Sequence, residues 1–189
     1  MAGHEETPMK KGNRQSSIIN HQSIILNYHI CTTTFGYSGI LFQTEPFLLK
    51  GVFLPRSRKR DLLEKIKEVS PAKPARSEEA LAICQEIKDY FKGNPVRTRW
   101  GLLDLGGFTP LQRAVLKATA RVPYGQVRSY GEIAAQVGRP KASRFVGTTL
   151  SRNPFPIFIP CHRIVRADGS LGGFGGGTDL KQRMLLLEK

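Results

Sequence analysis

The chain has 189 residues, of which 40% are hydrophobic and 23% charged, a balance that is typical of globular proteins. Lys and Arg number 29 against 15 Asp and Glu, and the net charge of +14 favours nucleic acid as a partner over a merely solubilising surface or an anionic membrane. Three cysteines are too few for a disulfide framework. No apolar run could span a membrane, and residues 1–17 carry no secretion signal. We therefore expect a soluble protein, a monomer, in the cytoplasm or in the nucleus of a eukaryote.

The N-terminal part predicts a small sheet followed by two helices. Residues 1–22 are polar and basic, and we expect a disordered tail. Runs rich in Ile, Leu, Phe and Thr, separated by turn signals, predict an antiparallel sheet over 23–54. Apolar residues at helical spacing predict helices over 59–69 and 78–91, and the segment 70–76, which contains two prolines, is predicted to be a connector.

These elements predict an α/β domain over 23–100, with the helices on one side of the sheet. No group of residues with an evident chemistry lies in it. A zinc ion held by His21, His29 and Cys31 was considered, but the spacing does not support a tetrahedral set, and we expect no metal and no cofactor. The segment 101–107 has two adjacent glycines and is predicted to be a linker.

Residues 108–189 predict a C-terminal domain of short helices. Two capping boxes, one at Thr109 and one at Ser129, indicate where two of these helices begin. A third helix, over 141–152, carries Arg144 among small residues. Three short helices with tight turns favour a helix-turn-helix that binds DNA, although small residues also serve tight helix packing.

The segment NPFPIFIPCHRIV, residues 153–165, is the most informative for chemistry. Its prolines predict an extended, stiff approach to Cys161, and its apolar residues predict burial. A thiolate is a nucleophile, and His162 could take the proton that generates it, although neighbours in a strand point to opposite faces, so a turn or a bridging water is needed. A cysteine that merely packs in the core is the alternative.

Three downstream carboxylates could orient His162, namely Asp168, Asp179 and Glu188. A tight turn is predicted at 168–170, and the glycine-rich loop 172–177 could bring bare backbone close to a ligand. No Gly-Lys-Ser/Thr follows this loop, which excludes a phosphate-binding P-loop. A helix over 181–188 is predicted to close the chain.

Four features carry a resemblance to a known family: the IPCHRIV motif, the RNP before it, the GSLGGFGGG loop and the closing helix. Over about 108–188 the sequence resembles the 6-O-alkylguanine-DNA alkyltransferase family. Over 30–94 the similarity is weaker. The resemblance implies an α/β fold, with a ribonuclease-H-like N-terminal domain and a mainly helical, winged helix-turn-helix C-terminal domain. It also implies a suicide DNA-repair enzyme that flips 6-O-alkylguanine out of double-stranded DNA and takes its alkyl group; whether 4-O-alkylthymine is also repaired is left open.

The same resemblance implies roles for four catalytic residues. Cys161 is the alkyl acceptor and His162 is a base that acts through water. Glu188 orients His162, and Asn153 orders the turn around the active site.

It also implies contacts with DNA or substrate for a further set: Tyr130, Arg144, Arg163, Ile164, Phe174, Gly175 and Lys181. Tyr130 would crowd a phosphate, and Arg144 would fill the gap left in the DNA stack. The backbone at Ile164 would contact the guanine edge, and Lys181 would be a supporting lysine. The Gly175 amide would lie near the 6-oxygen. Phe174 stands where the best-known members carry Tyr, so a hydroxyl group is absent there.

Three other functions fit parts of the pattern. A non-catalytic lesion binder of the alkyltransferase-like type would lack the cysteine, so Cys161 counts against it. A cysteine hydrolase using Cys161 and His162 would turn over an ester or amide without DNA. A winged-helix transcription regulator would bind one operator sequence and show no thiol chemistry.

Overall fold

The computed structural model describes residues 26–189, so the predicted tail, the first three residues of the predicted sheet and His21 lie outside the described residues. The N-terminal part contains four strands and two helices: β1 (Leu26–Thr33), β2 (Gly36–Gln43), β3 (Leu48–Arg56), α1 (Lys59–Val69), β4 (Ala72–Pro74) and α2 (Glu78–Tyr90). The predicted bounds of α1 are confirmed, and α2 ends one residue earlier than predicted, with Phe91 as its C-cap.

The sheet has the strand order β3-β2-β1-β4. The first three strands pair antiparallel, as predicted. The connector predicted over 70–76 is wrong in part, because β4 pairs parallel with β1 and the Ala75 amide donates to the Tyr28 carbonyl at 3.0 Å. Pro74 is compatible with this strand because β4 lies at the edge of the sheet, where no further partner needs its missing N–H.

The two helices lie on opposite faces of the sheet, so the prediction that both lie on one side is wrong. Successive side chains of a strand point to opposite faces. In β2, Ile40 and Phe42 belong to the large core that contains α2, whereas Leu41 packs with the buried residues of α1, Leu62 and Ile66. Helical spacing identified these apolar stripes but could not tell which face of the sheet each one covers.

The segment after α2, which includes the linker predicted over 101–107, contacts the sheet. Trp100–Leu102 forms a 3-10 turn. Leu103 then forms a parallel bridge with Leu49 of β3, and the Lys50 ammonium lies 2.7 Å from the Asp104 carboxylate. The glycines at 106 and 107 follow this attachment.

The C-terminal part contains four helices and a two-stranded parallel sheet: α3 (Pro110–Ala120), β5 (Arg128–Ser129), α4 (Tyr130–Gln136), α5 (Ser143–Ser151), β6 (Ile164–Val165) and α6 (Thr178–Leu187). Both predicted capping boxes, at Thr109 and Ser129, are present. Helix α5 begins two residues later than predicted, and α6 three residues earlier. The helices α3, α4 and α5 pack together, and their buried residues join those of α2 in one core. Among the described residues, no helix combines the length and the apolarity that a membrane span requires.

Candidate active site

The segment before Cys161 is a series of turns, so the extended approach predicted from its prolines is wrong. The Ile159 amide donates to the Phe155 carbonyl at 2.8 Å, and the Cys161 amide donates to the Ile159 carbonyl at 2.8 Å. Ile157 has a φ of 78°, a left-handed conformation that a β-branched residue rarely adopts. Proline fixes φ near −65°, a value that suits turns as well as strands, so its presence alone did not distinguish them.

The Asn153 side chain holds these turns together. Its Oδ1 accepts from the Phe155 amide at 3.0 Å, and its Nδ2 donates to the Ile159 carbonyl at 2.9 Å. The same Nδ2 lies 3.3 Å from Cys161 Sγ. Because a donated hydrogen bond favours a thiolate over a thiol, Asn153 both shapes the turn and stabilises charge on the sulfur.

Cys161 begins a 3-10 turn, Cys161–Arg163, and its half-buried side chain forms part of a cavity of about 400 Å³. Helices α4 and α5 and the glycine loop supply the rest of the lining: Tyr130, Gly147, Leu150, Ser151, Gly173, Phe174 and Gly175. Burial raises the pKa of the Cys161 thiol, while the Asn153 amide and the Lys181 ammonium act in the opposite direction. A ligand must enter this cavity to reach the sulfur.

The imidazole of His162 is completely buried and is held at one nitrogen only. Its Nε2 lies 2.7 Å from Glu188 Oε1 and 3.0 Å from the Tyr90 hydroxyl. Burial lowers the pKa of His162, and this effect is larger than the opposite effect of Glu188, which raises it. The ring is therefore neutral near pH 7. Since an ionised carboxylate can only accept, the proton lies on Nε2. Nδ1 is then a bare base, and no atom of the described residues hydrogen-bonds to it.

Of the three candidate carboxylates, the structure brings only Glu188 to His162. Asp168 is exposed and accepts from Ser170 in the predicted tight turn, and Asp179 is exposed in the first turn of α6. Burial alone would raise the pKa of Glu188, but hydrogen bonds from His162 and Arg163 outweigh it and lower the value to about 2. Glu188 is therefore an ionised, buried acceptor.

Arg163 belongs to this buried network and is 6% exposed, and its predicted contact with DNA or substrate stays a prediction. Its Nε donates to Glu188 Oε2 at 2.8 Å, and its Nη2 donates to Glu188 Oε1 at 3.0 Å. Its Nη1 donates to the Val122 carbonyl at 2.7 Å. A buried carboxylate requires a counter-charge, and Arg163 supplies it through a bidentate ion pair.

Lys181 is also buried, and its predicted contact with DNA or substrate stays a prediction. Its Nζ donates to the Ile164 carbonyl at 2.5 Å and to the Leu171 carbonyl. Burial lowers its pKa to about 8, whereas a charge on Cys161 raises it. Lys181 therefore joins the strand after the 3-10 turn to the start of the glycine loop, and places a positive charge near the thiol. The Ile164 side chain is fully buried, which leaves only its backbone for the predicted contact.

Tyr130 lies where two cavities meet, and Arg144 lines the second of them. Tyr130 is the first residue of α4 and lines both the Cys161 cavity and a second cavity of about 390 Å³. Arg144 is exposed on the first turn of α5 and lines only the second cavity. Burial, and then the charge of Cys161, raise the pKa of Tyr130, so its hydroxyl stays protonated.

Phe174 and Gly175 form the outer wall of the Cys161 cavity. The half-buried ring of Phe174 lies 6.3 Å from the His162 ring, measured between centroids, at an interplanar angle of 72°. A side chain at Gly175 would meet no atom within 4 Å, so its backbone borders open space. The two residues line the same cavity as Cys161, and their predicted contacts with substrate stay predictions.

Sequence analysis missed Tyr90, the last residue of α2. Its hydroxyl donates to Glu188 Oε1 at 2.8 Å and is fully buried. Its spacing from Ile83 and Ile87 continues the buried stripe of α2, and a tyrosine in such a stripe needs a partner for its hydroxyl. That signal was present, but the partner lies 98 residues away along the chain.

Within residues 26–189 no group of three or more His, Cys, Asp or Glu side chains could hold a metal ion. His29 instead places its Nδ1 3.2 Å from the Ala75 carbonyl, and Cys31 packs in the core. The third residue considered for zinc, His21, lies outside the described range.

Comparison with known proteins gives a consistent set of relatives. The domain described as "6-O-methylguanine DNA methyltransferase, DNA binding domain" matches residues 110–189. The methylated-DNA–protein-cysteine methyltransferase of Mycolicibacterium paratuberculosis is 52% identical over 106 residues, which cover 56% of this chain and 62% of that protein. The matched region therefore spans about three fifths of the length of that curated relative.

Solved structures extend the likeness to most of the chain. The crystal structure of Mycobacterium tuberculosis O6-methylguanine methyltransferase has a TM-score of 0.68 and 32% identity, covering 87% of this chain and 93% of that one. The structure of Mycobacterium tuberculosis OGT in complex with DNA has the same TM-score and identity, covering 86% and 92%. The α/β fold with a small sheet and six helices is shared with these proteins.

Proposed function

Because this chain belongs to the family of 6-O-methylguanine-DNA methyltransferases, we propose that it repairs DNA by moving the alkyl group of 6-O-alkylguanine onto Cys161. The observation that carries this proposal is a thiol in an open cavity, backed by a buried, neutral imidazole whose free nitrogen is a base.

The reaction is a direct displacement at the alkyl carbon. The Cys161 proton passes to His162 Nδ1 through a bridging water, and the thiolate attacks the carbon. A carbon–sulfur bond forms, the carbon–oxygen bond breaks, and guanine leaves with the electron pair and then takes up a proton. The positive charges of Lys181 and of the protonated His162 stabilise the thiolate until it reacts. The thioether product has no ready leaving group, so each molecule reacts once.

Access to the lesion requires that the damaged nucleotide leave the DNA stack, because a base inside a duplex cannot enter the cavity. Unstacking costs a few kcal/mol, and less for a poorly paired base. Tyr130 lines both cavities and Arg144 lines the neighbouring one, which supports the proposal that Tyr130 crowds the phosphate and Arg144 occupies the vacated space. The net charge of +14 and the DNA complex of the mycobacterial relative support DNA as the partner.

We also propose the finer organisation that the resemblance implies. Residues 23–100 form a ribonuclease-H-like domain, 101–107 a connection, and 108–189 a winged helix-turn-helix domain that acts as a monomer. Three short helices, α3, α4 and α5, and the small sheet of β5, which precedes α4, and β6, which follows α5, support the assignment of the C-terminal domain. A reducing compartment that holds DNA, the cytoplasm or a eukaryotic nucleus, suits a reactive thiol.

The test is to incubate the full chain with a duplex that contains one 6-O-methylguanine and to analyse its peptides by mass spectrometry. We expect one added methyl group on the peptide that holds Cys161, in a stoichiometric amount. Cys161→Ala should abolish transfer and retain DNA binding, whereas Cys84→Ala, a buried cysteine outside the cavity, should still accept the methyl group. An unmodified Cys161 peptide beside an intact lesion would exclude the transferase, and repeated turnover of an ester or amide without DNA would favour the hydrolase.

A further inference from the structure

Tyr90 reaches the proposed catalytic residues from outside the region that the family domain matches. It ends α2, in the N-terminal part of the chain, whereas the match covers residues 110–189. Its ring is fully buried against Phe91, Tyr124 and His162, with centroid distances of 5.0, 6.5 and 5.9 Å. Its hydroxyl is thereby held between the base and the carboxylate.

The hydrogen bonds of this group fix where the protons lie. Tyr90 has one hydroxyl proton, which it donates to Glu188 Oε1 at 2.8 Å. Its oxygen, 3.0 Å from His162 Nε2, can then only accept. Both neighbours of Nε2, the carboxylate and the phenol oxygen, are therefore acceptors, and both require a proton on that nitrogen.

We propose that Tyr90 is a positioning residue for the alkyl transfer, which keeps the proton of His162 on Nε2 and so leaves Nδ1 free to accept the proton of Cys161. The inference rests on the proposed function. Tyr90 touches neither the cavity nor the sulfur, and it acts through Glu188 and His162. The other charged or titratable groups around the imidazole are Arg163, Lys181 and Cys161, and none of them accepts a hydrogen bond at Nε2.

The test compares two tyrosines of the same junction. Tyr90→Phe keeps the ring and removes the hydroxyl from Glu188 and His162. Tyr124→Phe is the matched control, because the Tyr124 hydroxyl donates to the carbonyls of Gly93 and Leu187 and contacts neither catalytic group. We expect Tyr90→Phe to slow methyl transfer about tenfold near pH 7 with unchanged affinity for DNA, as the loss of a hydrogen bond to a buried charge predicts, and Tyr124→Phe to retain the wild-type rate.

A second measurement reports the tautomer directly. In protein with ¹⁵N-labelled histidine, we expect wild-type His162 to be protonated at Nε2 alone, and Tyr90→Phe to show a mixture of tautomers or a shifted pKa. A wild-type His162 protonated at Nδ1 would overturn the proposal, even if Tyr90→Phe does not fold. If Tyr90→Phe and Tyr124→Phe slow methyl transfer equally and the tautomer of His162 is unchanged, the effect is due to packing and the proposal is overturned. A wild-type transfer rate in Tyr90→Phe would also overturn it. If wild-type Cys161 accepts no methyl group, the proposed function fails while the tautomer result still stands.

Discussion

At the scale of single residues, Lys181 acts on Cys161 through its charge and not through a hydrogen bond. Both of its assigned hydrogen bonds go to backbone carbonyls, yet its ammonium lowers the pKa of the thiol. Burial keeps the thiol pKa above its ordinary value, so the thiolate fraction and the transfer rate should rise with pH. Burial lowers the pKa of Lys181 to about 8, so the loss of its charge above that pH opposes further formation of thiolate.

Replacing Lys181 with Met should therefore shift the pH profile of methyl transfer to higher pH. Without the positive charge the thiol pKa rises, and we expect the rate at pH 7 to fall about tenfold. The free energy of unfolding should also fall by about 2 kcal/mol, because two buried carbonyls lose their donor. Transfer rates measured from pH 6 to 9 check this. Lys67→Met, an exposed lysine on α1, is the control and should leave the profile unchanged.

At the scale of elements, the glycine loop supports Tyr130 through a close backbone contact. Gly172 has a φ of +66°, and a Cβ there would lie 3.0 Å from the Tyr130 hydroxyl and 3.1 Å from its ring. Gly172→Ala should displace Tyr130 in the cavity and slow transfer about tenfold, since small displacements in a site have effects of this size or larger.

The control for this prediction is Gly169→Ala, in the preceding turn. Gly169 has a similar φ of +80°, but a Cβ there meets no atom within 4 Å. Both variants therefore carry the backbone strain of a side chain in the left-handed region, and only the first carries the clash. Equal transfer rates for the two variants would show that contact with Tyr130 is unimportant.

Helix α5 allows a test of the proposed flipping step. Arg144→Ala should slow transfer from duplex DNA about tenfold, because nothing then fills the vacated space, while the thiol keeps its reactivity toward a small alkylating reagent. Lys117→Ala on α3 removes the same charge from an exposed position outside both cavities and controls for net charge. A rate in Arg144→Ala equal to that of Lys117→Ala would contradict the role.

The elements that could be predicted from sequence are those with local signals. The capping boxes at Thr109 and Ser129 and the apolar stripe of α1 each depend on residues within one or two turns, and all three predictions are confirmed. Strand β4 could not be predicted because its partner β1 lies far away along the chain.

The same limit applies to the candidate site. The IPCHRIV motif indicated the nucleophile and its neighbouring histidine, because both stand in one short segment. The contact between Arg163 and Glu188 could not be predicted, since the two residues lie 25 positions apart and their burial depends on packing. Tyr90 was missed for the same reason, at separations of 72 and 98 residues from its partners.

At the scale of the whole molecule, Glu188 joins parts of the chain that are distant in sequence. It accepts from Tyr90 of α2, from the Gly125 amide, and from His162 and Arg163 of the 3-10 turn. The pKa of Glu188 is about 2 in the folded protein, below the ordinary value of 4.5. A depressed carboxylate pKa stabilises the fold above the ordinary value, and this stability is lost as the pH falls from 4.5 toward 2.

Glu188→Gln should remove this pH dependence and lower the free energy of unfolding at pH 7 by about 3 kcal/mol, because the buried Arg163 loses its counter-charge. Denaturant unfolding at pH 7 and at pH 3 checks both parts, and the difference between wild type and variant should shrink at the lower pH. Glu64→Gln, which is exposed on α1, should change stability little at either pH. A wild-type stability that is the same at the two pH values would contradict the assigned pKa.

The unequal exposure of the three cysteines has a practical consequence. Cys31 and Cys84 are 5% and 2% exposed in the core, whereas Cys161 faces a cavity. A maleimide dye should therefore attach to the native protein at one sulfur and to the unfolded chain at three. The amount of dye bound by the native protein would then count the molecules whose Cys161 is still unmodified. Under the proposed function, each repaired guanine should lower that count by one.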